Sequence, residues 1–192
     1  MLNKWLMITV DNLQFELFIP EAEVRRRIAE VARRIEEDYA GRTPVLIGIL
    51  NGAFIFAADL VRELGIGHEI HFAKVASYEG TESTGCVREL IGVDVPLEGR
   101  DVIVVEDIVD TGYTMAHLLE SLRRSGARSV EVCTLLMKPG KLRVPLSVKY
   151  CAMEIPNEFI LGYGLDYNNL GRGMTDIYRV CGGAGSQEGE EA

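Results

Sequence analysis

Apolar residues recur along this chain in two alternating spacings, one typical of helices and the other of buried strands. Between residues 21 and 39 they stand four, three, four and four positions apart, at Val24, Ile28, Val31, Ile35 and Tyr39. Because an α-helix makes one turn in 3.6 residues, this spacing predicts a helix with one apolar face. Residues 45–50 are apolar or glycine throughout, and this pattern predicts a strand that is buried on both faces.

The same alternation continues toward the end of the chain. Two further helices are predicted, one after Asn51 through Leu64 and one over residues 114–124, where Gly126 ends it. Strands are predicted at residues 70–76, 87–93, 102–105, 129–137, 148–152 and 159–163. Strands that alternate with helices through right-handed crossovers form an α/β fold. The pattern therefore predicts a mostly parallel sheet flanked by helices on both faces.

One block joins a strand to a helix through polar residues. The acids Glu106 and Asp107 follow the apolar run at 102–105, and residues 110–114 read Asp-Thr-Gly-Tyr-Thr. Such a loop lies at the carboxyl end of a parallel strand, where open α/β sheets bind ligands. Its N–H groups and the helix dipole suit a phosphate, while carboxylates accept hydrogen bonds from sugar hydroxyls or hold hydrated Mg²⁺. The block predicts a site for a ribose 5-phosphate.

This block has other interpretations besides a ribose 5-phosphate site. The acids alone could be solvated turn residues, and Asp-Thr-Gly also occurs in ordinary turns and in aspartic proteases. A protease would need two such triplets, or a homodimer of all-β halves, whereas this chain alternates strands and helices. The complete block resembles the phosphoribosyl pyrophosphate (PRPP) signature of type I phosphoribosyltransferases. The resemblance extends in consistent order over residues 13–178. It implies the type I phosphoribosyltransferase fold, a mostly parallel sheet flanked by helices with a small hood from the chain ends.

The resemblance implies roles for the residues of the block. Glu106 and Asp107 would hold the ribose hydroxyls, directly or through Mg²⁺. Asp110 would take or hold the proton at N7 of the base, as a general acid–base group. The 5-phosphate would be held by the loop residues, with Tyr113 contributing its amide only: Thr111, Gly112, Tyr113 and Thr114.

Three further segments would contact the pyrophosphate. Asn51 and Gly52 follow the strand at 45–50, where free N–H groups can meet an anion. Many relatives have a basic residue at the first of these positions and a cis peptide there, and for Asn51 an ordinary turn remains the alternative. Residues 77–86 form a polar segment that resembles the catalytic loop of the family, in which Ser77 and Tyr78 would reach the pyrophosphate and exclude water. Arg172 would also bind pyrophosphate.

The acceptor base would be recognised by residues in the last third of the chain. Alone, Lys138 before Pro-Gly is typical of a solvated turn and Phe159 of a core residue. Together with residues 154–167 they resemble the purine hood of hypoxanthine-guanine enzymes. By that resemblance Lys138 selects the 6-oxo group, Phe159 stacks on the base and the backbone of Ile160 binds its edge. Asp166 would bind Mg²⁺. Residues 173–175 differ from those of commoner relatives.

Composition narrows the class of protein. The chain has 192 residues, of which 47% are hydrophobic and 26% charged, and this indicates one domain over residues 1–181 with a flexible acidic tail at 182–192. The net charge of −9 argues against binding to nucleic acid or to an anionic membrane. No transmembrane run or signal peptide is predicted. The scattered cysteines indicate incidental thiols in a reducing cytoplasm: Cys86, Cys133, Cys151 and Cys181.

The resemblance implies a cytoplasmic, Mg²⁺-dependent purine-salvage enzyme that uses PRPP and a 6-oxopurine, hypoxanthine and also guanine, and forms a homodimer or homotetramer. A xanthine-selective enzyme is the nearest alternative. A regulator that binds RNA or DNA on the same fold would need a basic face, which the charge of −9 opposes. A silent binding module is opposed by the intact set Asp110, Lys138, Asp166 and Arg172.

Overall fold

The computed structural model describes residues 7–76, 88–91 and 95–181. In that part of the chain the elements run in the order β1 (Met7–Val10), β2 (Leu13–Ile19), α1 (Glu21–Asp38), β3 (Val45–Leu50), α2 (Phe54–Glu63), β4 (Glu69–Ala76), β5 (Arg88–Ile91), β6 (Asp101–Val109), α3 (Tyr113–Arg124), β7 (Ser129–Met137), β8 (Tyr150–Glu154), β9 (Ile160–Leu161) and β10 (Ile177–Val180). A 3₁₀ turn, Pro139–Lys141, follows β7. Among the described helices none is both long and apolar enough to cross a membrane.

The larger sheet has six strands in the order β5-β4-β3-β6-β7-β8. Five of them are parallel, and β5 pairs antiparallel with β4. Strands β3 and β6 lie in the middle, where the apolar runs predicted from the sequence are buried on both faces. This arrangement brings the carboxyl ends of β3, β6 and β7 to one edge of the sheet.

Helices cover both faces of this sheet, as the sequence predicts. Helices α1 and α2 pack with residues of β3, β6 and β7 in one core, to which the apolar face of α1 contributes all five positions of its predicted spacing. Helix α3 packs on the opposite face, where Met115, Leu118, Leu119 and Leu122 meet Val102 and Val104 among others. The predicted α/β fold class is confirmed.

A smaller antiparallel sheet is built from both ends of the described chain, in the order β1-β2-β10-β9. Its central pair joins β2 to β10, with Glu16 opposite Arg179. We call this smaller sheet the hood. The apolar pattern of the sequence did not predict three of its strands, β1, β2 and β10. The turn at Asp11, whose φ is 52°, and Asn12 are the signal that could have found β1 and β2 as a hairpin.

Some element boundaries differ from the prediction. Strand β6 does not end before the acids but continues through Glu106 and Asp107, since Ile108 and Val109 still pair with Leu136 and Met137 of β7. Strand β8 begins two residues later than predicted, and β9 is shorter and leaves Phe159 outside it. The predicted loop at 77–86, the tail at 182–192 and Cys86 lie outside the described residues. The division into one domain and a tail stays a prediction.

The cysteines in the described part of the chain are unpaired thiols. Cys133 is buried in β7, and burial raises the pKa of its thiol far above the ordinary value. Burial raises the pKa of Cys151 to about 11. Thiols held in this neutral state are poor nucleophiles, so these two cysteines do not contribute reactive groups.

Candidate active site

A cavity of about 250 Å³ opens at the carboxyl end of the parallel sheet. The end of β6, the loop after it and the start of α3 form one wall, and the residues after β3 form another. The structure thereby brings six of the predicted site residues to one cavity: Gly52, Glu106, Asp110, Thr111, Gly112 and Thr114. The edge of a parallel sheet where a strand feeds a helix is the place at which α/β proteins bind ligands.

The loop between β6 and α3 is shaped to bind an anion. Gly112 has a φ of +85°, and its carbonyl accepts the N–H of Ala116 to begin α3. A Cβ at this position would meet Val144 at 3.1 Å and Leu142 at 3.2 Å, so glycine alone fits both the conformation and the space. The backbone N–H groups at the start of α3 have no partner within the helix, and together with the helix dipole they favour a phosphate.

Glu106 and Asp107 occupy consecutive positions on β6. Glu106 lines the cavity, whereas Asp107 accepts the N–H of Ile108 on Oδ1 at 2.8 Å. Desolvation, with repulsion from Asp107, raises the pKa of Glu106 well above its ordinary value. Desolvation also raises the pKa of Asp107, although a hydrogen bond from Glu106 opposes that rise. The positive charge of Arg172 also lowers the pKa of Asp107, but by less than desolvation raises it.

Mg²⁺ fits this carboxyl pair. It prefers oxygen ligands, usually takes only one or two carboxylates and keeps several waters. A cation here would also offset the like-charge repulsion that raises the pKa of Glu106. Asp166, the third predicted ligand, instead pairs with Arg172 at 2.5 Å and accepts the N–H of Asn169 at 2.8 Å. Within the described ranges no three His, Cys, Asp or Glu side chains converge on one metal position.

Asp110 carries an unused acceptor beside the cavity. Its Oδ2 accepts from Nζ of Lys138 and from Nζ of Lys141, each at 3.2 Å. Its Oδ1 is buried and accepts no hydrogen bond from any described residue. An unpaired buried carboxylate oxygen is costly, so its position at a ligand cavity indicates that a ligand donor completes it. The sequence motifs did not predict that Lys141 contacts Asp110. The signal that could have indicated it is a second lysine three residues after Lys138, across Pro-Gly.

The predicted pyrophosphate residues are placed in part. The Leu50–Asn51 peptide is cis, and Asn51 is exposed. Gly52 lies so close to the Asp107 carboxylate that any Cβ would overlap it, and its carbonyl presses against Gly164. Arg172 donates to the carbonyl of Gly164 at 2.8 Å besides pairing with Asp166. Ser77 and Tyr78 lie outside the described residues.

The hood presents an aromatic cluster. Phe159 is 40% exposed, so it is not the core residue that its type alone suggests. Its ring meets Tyr167 edge to face, with 5.7 Å between centroids, and Phe15 at 6.2 Å. The Tyr167 hydroxyl donates to Asn12 at 2.7 Å, which ties this cluster to the turn between β1 and β2. Sequence reasoning did not identify Tyr167 or Asn12 as supports of Phe159.

Comparison with known proteins places this site in a family. The sequence pattern of the phosphoribosyl transferase domain matches residues 21–168. The hypoxanthine phosphoribosyltransferase of Escherichia coli is 42% identical over 168 residues, which cover 86% of this chain and 94% of that protein. The chain belongs to the phosphoribosyl transferase family.

Two further similarities extend over most of this phosphoribosyl transferase. The hypoxanthine-guanine phosphoribosyltransferase of Aquifex aeolicus is 35% identical and covers 91% of this chain and 99% of its own length. A crystal structure of a hypoxanthine-guanine phosphoribosyltransferase from Bacillus anthracis, with a HEPES molecule in its active site, superposes with a TM-score of 0.83. It is 38% identical and covers 86% of this chain and 98% of the other. The resemblance stated from the sequence motifs is confirmed.

In this phosphoribosyl transferase the predicted residues fall into three spatial groups. Glu106 of β6 and four residues of the following loop line the cavity: Asp110, Thr111, Gly112 and Thr114. Lys138 joins them through Asp110, and its backbone N–H bonds to the carbonyl of Val109 at 2.9 Å. Phe159, Ile160, Asp166 and Arg172 form the hood group, which reaches the β6 group where Gly164 touches Gly52.

Proposed function

We propose that this chain is a purine-salvage enzyme that transfers the 5-phosphoribosyl group of PRPP to N9 of hypoxanthine, and also of guanine. The bond from C1 of the ribose to pyrophosphate breaks, the bond from C1 to N9 forms, and the products are IMP or GMP and pyrophosphate. The observation that carries the proposal is Asp110 in the loop before α3, whose Oδ2 is held by Lys138 and whose Oδ1 has no donor among the described residues. The names of the Escherichia coli and Aquifex relatives support the same substrates.

PRPP would be bound along the carboxyl edge of the sheet. The amides at the start of α3, with the hydroxyls of Thr111 and Thr114, would hold the 5-phosphate. Glu106 and Asp107 would accept the ribose hydroxyls and hold Mg²⁺, which supplies positive charge to the departing pyrophosphate. The N–H groups at Asn51 and Gly52 would meet the pyrophosphate from the other side of the cavity. Ser77, Tyr78 and Arg172 would complete this contact.

Asp110 would act on the base. A carboxylate oxygen without a donor can accept the proton at N7 while N9 attacks C1, and general acid–base help of this kind contributes about 10²–10⁴-fold to a rate. The larger contributions would come from positioning the two substrates and from the charge beside the leaving group. For this role Asp110 needs a fixed orientation, which its two lysine contacts supply.

Selection of a 6-oxopurine would rest on Lys138 and the hood. The ammonium of Lys138 has three donors and no acceptor, so it favours an oxo group over the amino group of adenine. Phe159, with its exposed face, would stack on the base, and the backbone of Ile160 would bind its edge. Asp166 would contribute to Mg²⁺ binding after release from Arg172, with which it pairs in this structure.

The setting of the enzyme is also proposed. We expect a cytoplasmic homodimer or homotetramer built from one domain over residues 1–181, with the acidic residues 182–192 as an appended tail. The net charge of −9 disfavours nucleic acids and anionic membranes as partners. Sedimentation equilibrium at micromolar concentration tests the assembly, and a monomer under those conditions would contradict it.

The test is a Mg²⁺-dependent assay with PRPP and a panel of hypoxanthine, guanine, xanthine, adenine and uracil. Turnover of hypoxanthine and guanine, lost on chelation and reduced at least about tenfold in Lys138→Ala, supports the proposal. Lys149→Ala is the matched control, because Lys149 pairs with Asp38 at the opposite end of the sheet. Turnover of xanthine alone would make the enzyme xanthine-selective, and no turnover of any purine would overturn the assignment.

A further inference from the structure

Asp110, the proposed acid–base group, contacts a second cation besides Lys138. Lys141 was given no role by the sequence, yet its Nζ is 3.2 Å from Asp110 Oδ2, the same distance and the same oxygen as Lys138 Nζ. The two lysines differ in exposure: the Lys138 side chain is 9% exposed and that of Lys141 is 37% exposed. Two cations on one oxygen leave the other oxygen, Oδ1, free beside the cavity.

The backbone fixes this arrangement from both sides of Asp110. The N–H of Lys138 bonds to the carbonyl of Val109 at 2.9 Å, and the N–H of Arg143 bonds to the carbonyl of Thr111 at 3.0 Å. Between these two bonds the 3₁₀ turn Pro139–Lys141 brings the N–H of Lys141 to the carbonyl of Lys138 at 3.0 Å. Since side chains three residues apart eclipse in a 3₁₀ turn, both ammoniums reach the same carboxylate.

Lys138 has two tasks that compete. In this structure it holds Asp110, but in the proposed reaction it also donates to the 6-oxo group of the base. A cation that moves toward the base weakens its contact with Asp110 at the moment when the carboxylate must accept a proton from N7. Lys141 has no other ion-pair partner among the described residues, and it already occupies the second position on Oδ2.

We propose that Lys141 is a positioning residue that holds Asp110 with Oδ1 directed at N7, while Lys138 engages the base. This inference rests on the proposed function, because it presupposes that Asp110 serves a 6-oxopurine. The side chains that form ion pairs with Asp110 in the described part of the chain are Lys138 and Lys141. Lys141 therefore supplies one of the two cations at this carboxylate.

The experiment compares Lys141→Met, Lys141→Arg and Arg143→Met in the full chain. Methionine keeps the length of the side chain and removes its charge, while arginine restores a cation. Arg143→Met is the matched control, since it removes an exposed positive charge two residues away and leaves the backbone bond to Thr111 in place. Steady-state rates with hypoxanthine and saturating Mg²⁺ and PRPP are measured from pH 5 to pH 10, and thermal melting checks that each variant folds.

Lys141→Met is expected to lower kcat about tenfold and to change the KM for hypoxanthine by less than about twofold. Lys141→Arg should restore most of the lost kcat, and Arg143→Met should match the wild type.

The inference is overturned if Lys141→Met keeps the wild-type kcat, or if it changes KM alone, which would make Lys141 a binding residue. Equal effects of Lys141→Met and Arg143→Met would also overturn it, because they would reduce the role to general surface charge. These results leave the proposed function intact, whereas a wild type without 6-oxopurine turnover removes both. If Lys141→Met does not fold, Lys141→Gln replaces it with the same expectations.

Discussion

Carboxylates lie at the start of β6, near its end at Glu106 and Asp107, and directly after it at Asp110, but the two ends differ in how these carboxylates are paired. At its first residue, Asp101 is 2% exposed and both its oxygens are satisfied by Arg128, Ser129 and Arg42. The hydrogen bonds from Arg128 lower the pKa of Asp101 to about 2. At the other end desolvation raises the pKa of Glu106, and Asp110 leaves one oxygen unpaired.

The contrast separates stability from function along one strand. Asp101, whose oxygens are fully hydrogen-bonded, stabilises the fold, whereas a buried carboxylate oxygen without a donor costs folding free energy. Acids of the second kind persist where a ligand supplies the missing partner. The amino end of β6 therefore belongs to the scaffold, and the carboxyl end is where we propose that a cation, a sugar and a base bind.

The largest expected effect is the loss of activity in Asp110→Asn. The amide cannot take the N7 proton, so kcat/KM for hypoxanthine should fall by about 10²–10⁴-fold. Asp101→Asn, at the other end of the same strand, is the control and should keep kcat/KM within about threefold. A loss of less than about tenfold in Asp110→Asn would show that this carboxylate is not the acid–base group.

Next in size is the effect of Asp101→Asn on stability. Its folded-state pKa of about 2 lies below the ordinary value, so the charged form stabilises the fold by about 2 kcal/mol near neutral pH. Urea denaturation at pH 7 should show a loss of that size in the variant. An unchanged free energy of unfolding would mean that Arg128 and Arg42 do not stabilise Asp101.

The same carboxylate gives a pH signature. A depressed pKa confers stability that is fully present above the unfolded value, about 3.9, and is lost as the pH falls toward the folded value of about 2. The difference in unfolding free energy between wild type and Asp101→Asn should therefore shrink between pH 4 and pH 2. A difference that stays constant over this range would assign the effect to shape rather than to charge.

The smallest effect, and one of opposite sign, is expected for Glu106→Gln. The raised pKa of Glu106 means that its charged form destabilises the fold at a pH above the ordinary value. Removing the charge should raise the free energy of unfolding at pH 8 by about 1 kcal/mol and weaken the stabilisation that Mg²⁺ with PRPP confers. Glu120→Gln, an exposed residue of α3 paired with Arg124, should change it by less than about 0.5 kcal/mol. A less stable Glu106→Gln would contradict this account of the strand.

The strands that form the sheet could be predicted from the sequence, but the pairing of the charged side chains on them could not. Strands β3 and β7 were predicted with their observed bounds, because β3 is a continuous buried run and the residues of β7 from Val132 to Leu136 are buried in the same sheet. The end of β6 was predicted too early, because two adjacent acids interrupt its apolar run while the strand still pairs with β7. Polarity alone does not end a strand at a ligand site.

Side-chain partnerships were the part that could not be predicted. The motifs indicated Asp110, Lys138, Asp166 and Arg172, but not that they form two ion pairs in this structure. Nor did they indicate Lys141, since a lysine in a Pro-Gly turn has no periodic signature. Asp101, which opens β6, carried no motif because its partners Arg42 and Arg128 are 59 and 27 residues away.

The smaller sheet can close only late in the synthesis of the chain. Strand β2 pairs with β10 between residues that are 163 positions apart, as in the contact of Arg179 with Glu16. A nascent chain that ends at Met137 already contains β3, β6, β7 and the phosphate loop, but it lacks the strand that closes the smaller sheet. Contacts of such long separation form late, because closing a long loop costs the most chain entropy. The smaller sheet, with the residues that we propose to recognise the base, therefore forms after the strands and the loop that we propose to hold the sugar phosphate.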